Sequence, residues 1–227
     1  MHILFFLLVL LALIYLPGFW VGRVMKRYSE PADRYGVTGG EAARRLLDLH
    51  GLESVGTEAT DAGDHYSPDE KMVRLSEANF SGKSLTAVVV AAHEVGHAIQ
   101  DATGYRALHL RTQLVRLVGP VQKVGAFLLM ASPVIVAVTR TPVAGGLMVL
   151  GGFMTLGTGV LVHLLTLPSE FDASFGRALP MLAKHDVLIE GDELHARRLL
   201  SAAAMTYVSA ALMSLLNVAR WWAILRR

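Results

Sequence analysis

The sequence predicts a mainly α membrane protein, with about four transmembrane helices and a small α+β polar domain carried among them. Of its 227 residues 53% are hydrophobic, and the mean hydropathy is +0.44, more apolar matter than a soluble domain of this size needs for its core. Crossing a hydrocarbon layer takes about 20 helical residues, and uncharged runs of that length lie at both ends and in the middle of the chain. Between the first run and the middle lie roughly 90 residues of mixed polarity, enough for a small folded unit that leans on its neighbours.

Charge and cysteine content exclude other classes. With Lys+Arg 21 against Asp+Glu 19 the formal charge is +2, so no broad basic surface exists to track nucleic acid. The absence of cysteine removes disulfides and thiolate metal sites. Any firmly held transition metal must use the nine histidines and the carboxylates. The partners that remain are the lipid bilayer and a polypeptide substrate, and the sequence leaves oligomeric state open.

In chain order, residues 1–22 read as a retained anchor. The run 3–21 is uncharged, is followed by Arg23, Lys26 and Arg27, and has neither a basic leader nor a small-residue cleavage site. The polar region spans 23–116. Within it, Thr38 followed by Glu41 forms a capping-box pattern, Ala42, Leu46, Leu47 and Leu49 mark one apolar side, and Gly51 supplies a stop. Residues 52–64 lack helical period, whereas 72–75 alternate as a short strand would, so a small sheet is expected. That strand could be a sheet edge able to pair with an extended peptide, or could simply complete the sheet. From Ser84 a helix runs to near Gly104, with Val88, Ala92 and Val95 inward.

Residues 117–167 read as a transmembrane hairpin, 118–138 and 143–167, turned at Thr139-Arg140-Thr141-Pro142. Residues 168–201 form a helical region, and 202–227 hold the last crossing, closed by the interfacial trio Arg220-Trp221-Trp222. Cations beside the first anchor and between the third and fourth crossings place the polar region on the cytoplasmic side, although Arg220, Arg226 and Arg227 argue the other way.

The chemistry concentrates in His93-Glu94-Val95-Gly96-His97. Histidines four apart on a helix share one face, and both imidazoles can reach one metal ion. Glu94 is offset about the helix and suits a general base for a water activated by Zn2+. A hydrolytic zinc site needs a third ligand and an open position. Glu170 is the best candidate, because two crossings separate it from His97 and return the chain to the side it left. Pro168 is read as starting a helical turn that carries Glu170, whose acid could alternatively be a helix N-terminal charge; Asp172 is the second choice.

HEVGHAIQ, the upstream DHYSPDEKMVRLSE, TGGEAARRLLDLHGL, LTLPSEFDAS after a hydrophobic hairpin, and AAAMTYVSAALMSLL together resemble the YugP-like neutral zinc metallopeptidases of bacteria, nearly from end to end. The resemblance implies a zincin-like polar domain and a membrane-bound peptidase with His93, His97 and Glu170 as ligands and Glu94 catalytic. The chain is also similar to HtpX-type membrane proteases, in which HExxH is followed by ExxAD. Here Ser174 stands in the final position, so Ser174 or Asp172 would orient a zinc histidine.

His65, Tyr207 and Arg177 could stabilise an oxyanion, though such residues are more often ordinary surface or packing groups; His163, two turns before Glu170, could support it or equally be a satisfied bundle histidine. The expectation is a membrane-embedded zinc endopeptidase acting on membrane-associated or misfolded proteins. The alternatives are a non-hydrolytic membrane protein using zinc for structure or partner binding, and a metal transporter. Glu94 argues against the first and the scarcity of ionisable groups inside the crossings against the second.

Overall fold

The computed structural model describes residues 2–185 and 187–225. It is mostly helical, with one small sheet. In order the elements are α1 (His2–Tyr28), α2 (Gly39–Leu49), β1 (Gly56–Thr60), β2 (His65–Ser67), β3 (Met72–Ser76), α3 (Glu77–Phe80), α4 (Leu85–Ala102), α5 (Arg106–Thr139) and α6 (Pro142–Phe171). A π-helical segment, Asp172–Ala178, then leads into α7 (Leu179–Lys184) and α8 (Glu193–Leu225). The chain divides into two compact units: Pro17–His109 with Leu167–Thr206, and Met1–Leu16, Leu110–Thr166 and Tyr207–Arg227.

In the first unit the local signals act as expected. Thr38 Oγ1 accepts from the Glu41 amide (3.1 Å) while the Glu41 carboxylate accepts from the Thr38 amide (2.7 Å). That backbone bond holds the Glu41 carboxyl below its usual range. Gly51 and Gly104 follow α2 and α4 with φ of 69° and 67°, the left-handed conformation that ends a helix most easily at glycine. Ala42, Leu46 and Leu47 are buried, but Leu49 is exposed, so the apolar side of α2 is one residue narrower than the sequence pattern suggests.

Pairing joins the strands in the order β1-β3-β2, β1 parallel and β2 antiparallel to β3. β3 is therefore the central strand, and the idea that it offers a free edge is corrected. Its alternation is sound: Val73 and Leu75 are buried and their neighbours half-buried. β1, with the polar sequence GTEAT, carries no periodic signal and is a strand because β3 supplies its hydrogen bonds.

α4 forms the axis of this unit. All sixteen residues from Leu85 to Gln100 are buried, so the helix is enclosed on every side as a core helix is. Leu46, Leu47, Val73, Leu75, Val88, Val95, Leu182, Leu199 and Leu200 share its core. Polar ties hold the periphery. Thr86 Oγ1 donates to Met25 O (2.9 Å), and Tyr66 OH and Lys71 Nζ donate to Asp101 Oδ2 (2.7 and 2.5 Å). Burial, together with that carboxylate, pushes the Tyr66 phenol up.

The loop before α8 is tied down at Asp192. Arg34 binds both carboxylate oxygens at 2.7 Å, and Tyr35 OH donates at 2.7 Å. Burial opposes ionisation of Asp192, but the bonds from Arg34, Tyr35 and His195 and the Arg34 charge outweigh it and hold the carboxyl below its usual range.

The second unit consists of long apolar helices. Arg106–Thr139, Val143–Lys184 and Glu193–Leu216 are helical stretches long and apolar enough to cross a membrane. α5 ends at Thr139 and α6 starts at Pro142, matching the expected turn. A Cβ on Gly125 or Gly152 would collide with Thr155 or Leu129, so these glycines allow α5 and α6 to approach closely. The fourth expected crossing lies within α1, where the side chains of residues 2–11, 13 and 14 fall outside the described ones, as do those of Arg220, Trp221 and Trp222. Arg226 and Arg227 fall outside the described residues.

Candidate metal centre

His93 and His97 project from the same face of α4, their rings 4.8 Å apart and inclined at 77°. Glu170 comes from the end of α6. Its Oε2 lies 3.3 Å from His93 Nε2 and 3.5 Å from His97 Nε2, and all three residues are buried. Zinc bonds of about 2.0–2.1 Å in tetrahedral array place ligand atoms about 3.3 Å apart, close to both separations. Two imidazole nitrogens and one carboxylate oxygen within 4.8 Å of one another form a donor set suited to zinc, with a fourth position left over.

The local fold brings Glu170 there in an unexpected way. Pro168 does not begin a new helix; α6 continues through it to Phe171, which corrects the reading of Glu170 as a first-turn residue and removes its explanation as a helix N-terminal charge. The backbone then widens into the π-helical turns 172–178, a rare form that re-aims side chains. α4 meets this segment at Gly96, where a Cβ would sit 2.7 Å from Ala173 O. Glycine between the two histidines is thus needed for the approach that brings Glu170 to them.

The far ring nitrogens are also engaged. His97 Nδ1 lies 3.0 Å from Gln100 Oε1, while Gln100 Nε2 donates to Ser169 O and to Asp172 Oδ2, each at 2.8 Å. These donations identify the Gln100 oxygen as the acceptor, so His97 carries its proton on Nδ1 and keeps the Nε2 lone pair for a metal. Ser174 Oγ meets His93 Nδ1 at 3.2 Å, which suits the same tautomer. Arg177 Nε donates to Asp172 Oδ2 at 3.2 Å. Glu94, buried beside His93, is turned about 100° from it around the helix.

The structure thus assembles His93, His97 and Glu170, sets Ser174 against His93, and places Asp172 behind Gln100 rather than among the ligand atoms. His65 keeps its ring within its own turn, Nδ1 2.8 Å from Gly63 O. Tyr207 and His163 belong to the other unit, where Tyr207 accepts a hydrogen bond from Arg111 (2.6 Å) and faces the His163 ring at 6.3 Å. Gln100 is absent from the residues singled out by sequence. Its signal was available: a polar residue three after His97, on the same face of an otherwise apolar helix.

The family model described as "Putative neutral zinc metallopeptidase" matches residues 3–226, and the chain belongs to that family. It is 36% identical over 224 residues to a Bacillus subtilis (strain 168) protein named "Putative membrane protease YugP", covering 97% of this chain and 95% of that one. No solved structure matches it.

Proposed function

We propose that this member of the zinc metallopeptidase family is a membrane-embedded endopeptidase that hydrolyses membrane-associated or misfolded polypeptides at the cytoplasmic face. The observation that carries the reading is the buried His93, His97 and Glu170 trio with Glu94 on the same helix. His93 and His97 through Nε2, and Glu170 through Oε2, would hold zinc. When bound, the ion supplies Lewis acidity, which brings the pKa of a water from about 15.7 towards 7 and polarises a carbonyl.

The remaining work belongs to the chain. Glu94 takes the proton of the attacking water and passes it to the departing amide nitrogen. Gln100 and Ser174 are positioning residues that keep the two imidazoles in the tautomer able to bind metal. Burial of the trio limits competing water and strengthens each charge interaction there. The membrane assignment draws on the three apolar helices and the name of the Bacillus relative; the cytoplasmic side draws on the cations that flank the anchor.

Glu94→Gln separates metal binding from chemistry. In purified full-length protein it should retain zinc while cleavage of an unfolded model substrate falls by at least 10²-fold, the lower range for a general base. Unchanged cleavage would reject the peptidase reading, and loss of zinc would make Glu94 a structural residue.

A further inference from the structure

The last turns of α1 have two distinct sides. Val24 and Tyr28 are buried in the core, with Val21 and Met25 packed against it. On the other side Phe19, Gly22, Arg23, Lys26 and Arg27 line an open recess of about 540 Å³. Nothing lies within 4 Å of a Cβ built on Gly22, so the recess is a notch between an aromatic ring and three cations. The Arg23 guanidinium sits 4.8 Å from the centre of the Phe19 ring, which holds it against the apolar floor.

Two cations border Tyr28, at the edge of the recess or outside it. Arg27 lies over the Tyr28 ring at 5.8 Å, and Arg198 Nη1 donates to the Tyr28 hydroxyl at 3.5 Å. Among the described residues no carboxylate pairs with Arg23, Lys26, Arg27 or Arg198; of the two acids lining the adjoining recess with Arg27, Asp192 is bound by Arg34 and Tyr35 and Glu30 is exposed. The apolar run 3–21 leads directly into the cluster, with Trp20 exposed on the same turn. Trp and Arg side by side at the end of an apolar helix suit the level of lipid headgroups.

We propose that this recess binds the phosphate headgroup of an anionic phospholipid. Arg23, Lys26 and Arg27 would take the phosphate oxygens, and Phe19 the glycerol and upper acyl carbons. A zwitterionic lipid carries a cationic amine that this unpaired cluster would repel, which is the basis of the selectivity. The inference rests on reading α1 as a membrane anchor and needs nothing from the metal site, so failure of the Glu94→Gln test would leave it standing.

Trp20 is a built-in reporter. The full chain, with Trp221→Phe and Trp222→Phe to remove the other indoles, is reconstituted in phosphatidylcholine vesicles containing minority phosphatidylglycerol, with bromine on one lipid or the other. Per molecule, brominated phosphatidylglycerol should quench Trp20 at least about fivefold more effectively, the factor for one cation near an anionic surface, and raised salt should erase the excess. Arg23→Gln, Lys26→Gln and Arg27→Gln together should bring the two lipids to parity while zinc content is retained. Equal quenching in the parent would overturn the proposal and leave the face to an acidic protein partner. A preference that survives the triple substitution, or that salt does not touch, would overturn it too, and quenching by neither lipid would also remove the anchor reading.

Discussion

α4 and α5 follow one another in the chain and are both rich in Val and Ala, yet their surroundings are opposite. α4 is buried on every side from Leu85 to Gln100. α5 displays Val121, Val124, Phe127, Met130, Val134 and Val138 in an open stripe that only lipid or another protein can cover without cost. The difference teaches that apolar composition does not specify the solvent. α4 carries His93, Glu94 and His97 at its centre, and ionisable groups there are tolerable only where protein supplies partners. α5 has no charged residue between Lys123 and Arg140.

The contrast can be broken most severely inside α4. Val88→Asp would bury an unpaired carboxylate and should cost more than about 4 kcal/mol, so that the unit holding His93 and His97 fails to fold; a variant that folds as the parent does would mean α4 is not enclosed. The matching change on α5, Met130→Asp, should cost about 2.5–3.5 kcal/mol if that stripe meets lipid. It would be read as lost membrane insertion, and an unaffected, fully inserted protein would show the stripe to be wet.

Gln100 sharpens the comparison from the polar side. Gln100→Ala should weaken zinc binding by about 10–100-fold in chelator competition, whereas Gln122→Ala on α5 should leave it unchanged; equal effects would deny Gln100 its positioning role. The smallest effect is expected at Asp192. Its carboxyl is held below its usual range, so its stabilisation is complete at neutral pH and is lost as pH falls through the folded-state value. Asp192→Asn should lower the melting temperature by about 2–4 °C at neutral pH and flatten the acid limb; an unchanged acid limb would remove Asp192 as its source.

Much of this was legible before folding because it depends on near neighbours in sequence. Thr38 and Glu41 announce a cap, Gly51 and Gly104 announce stops, and a spacing of four puts His93 and His97 on one helical face whatever surrounds them. Other features depend on residues far apart. β1 exists only through β3, and Leu49 is exposed because nothing packs over it. Pro168 gives a reasonable start signal that continued helical hydrogen bonding overrides.

The sequence by itself determined the two histidines, the glutamate beside them, the apolar segments and, through chain topology, an acid at Glu170. Only the tertiary structure decided how that acid arrives. The π-helical turns after Phe171 and the bare Cα of Gly96 bring two distant segments within hydrogen-bonding distance, and Gln100 locks them together. Such contacts join residues some 70 positions apart, so no local propensity or periodicity encodes them; they are selected by packing, where a single Cβ at Gly96 would be enough to prevent them.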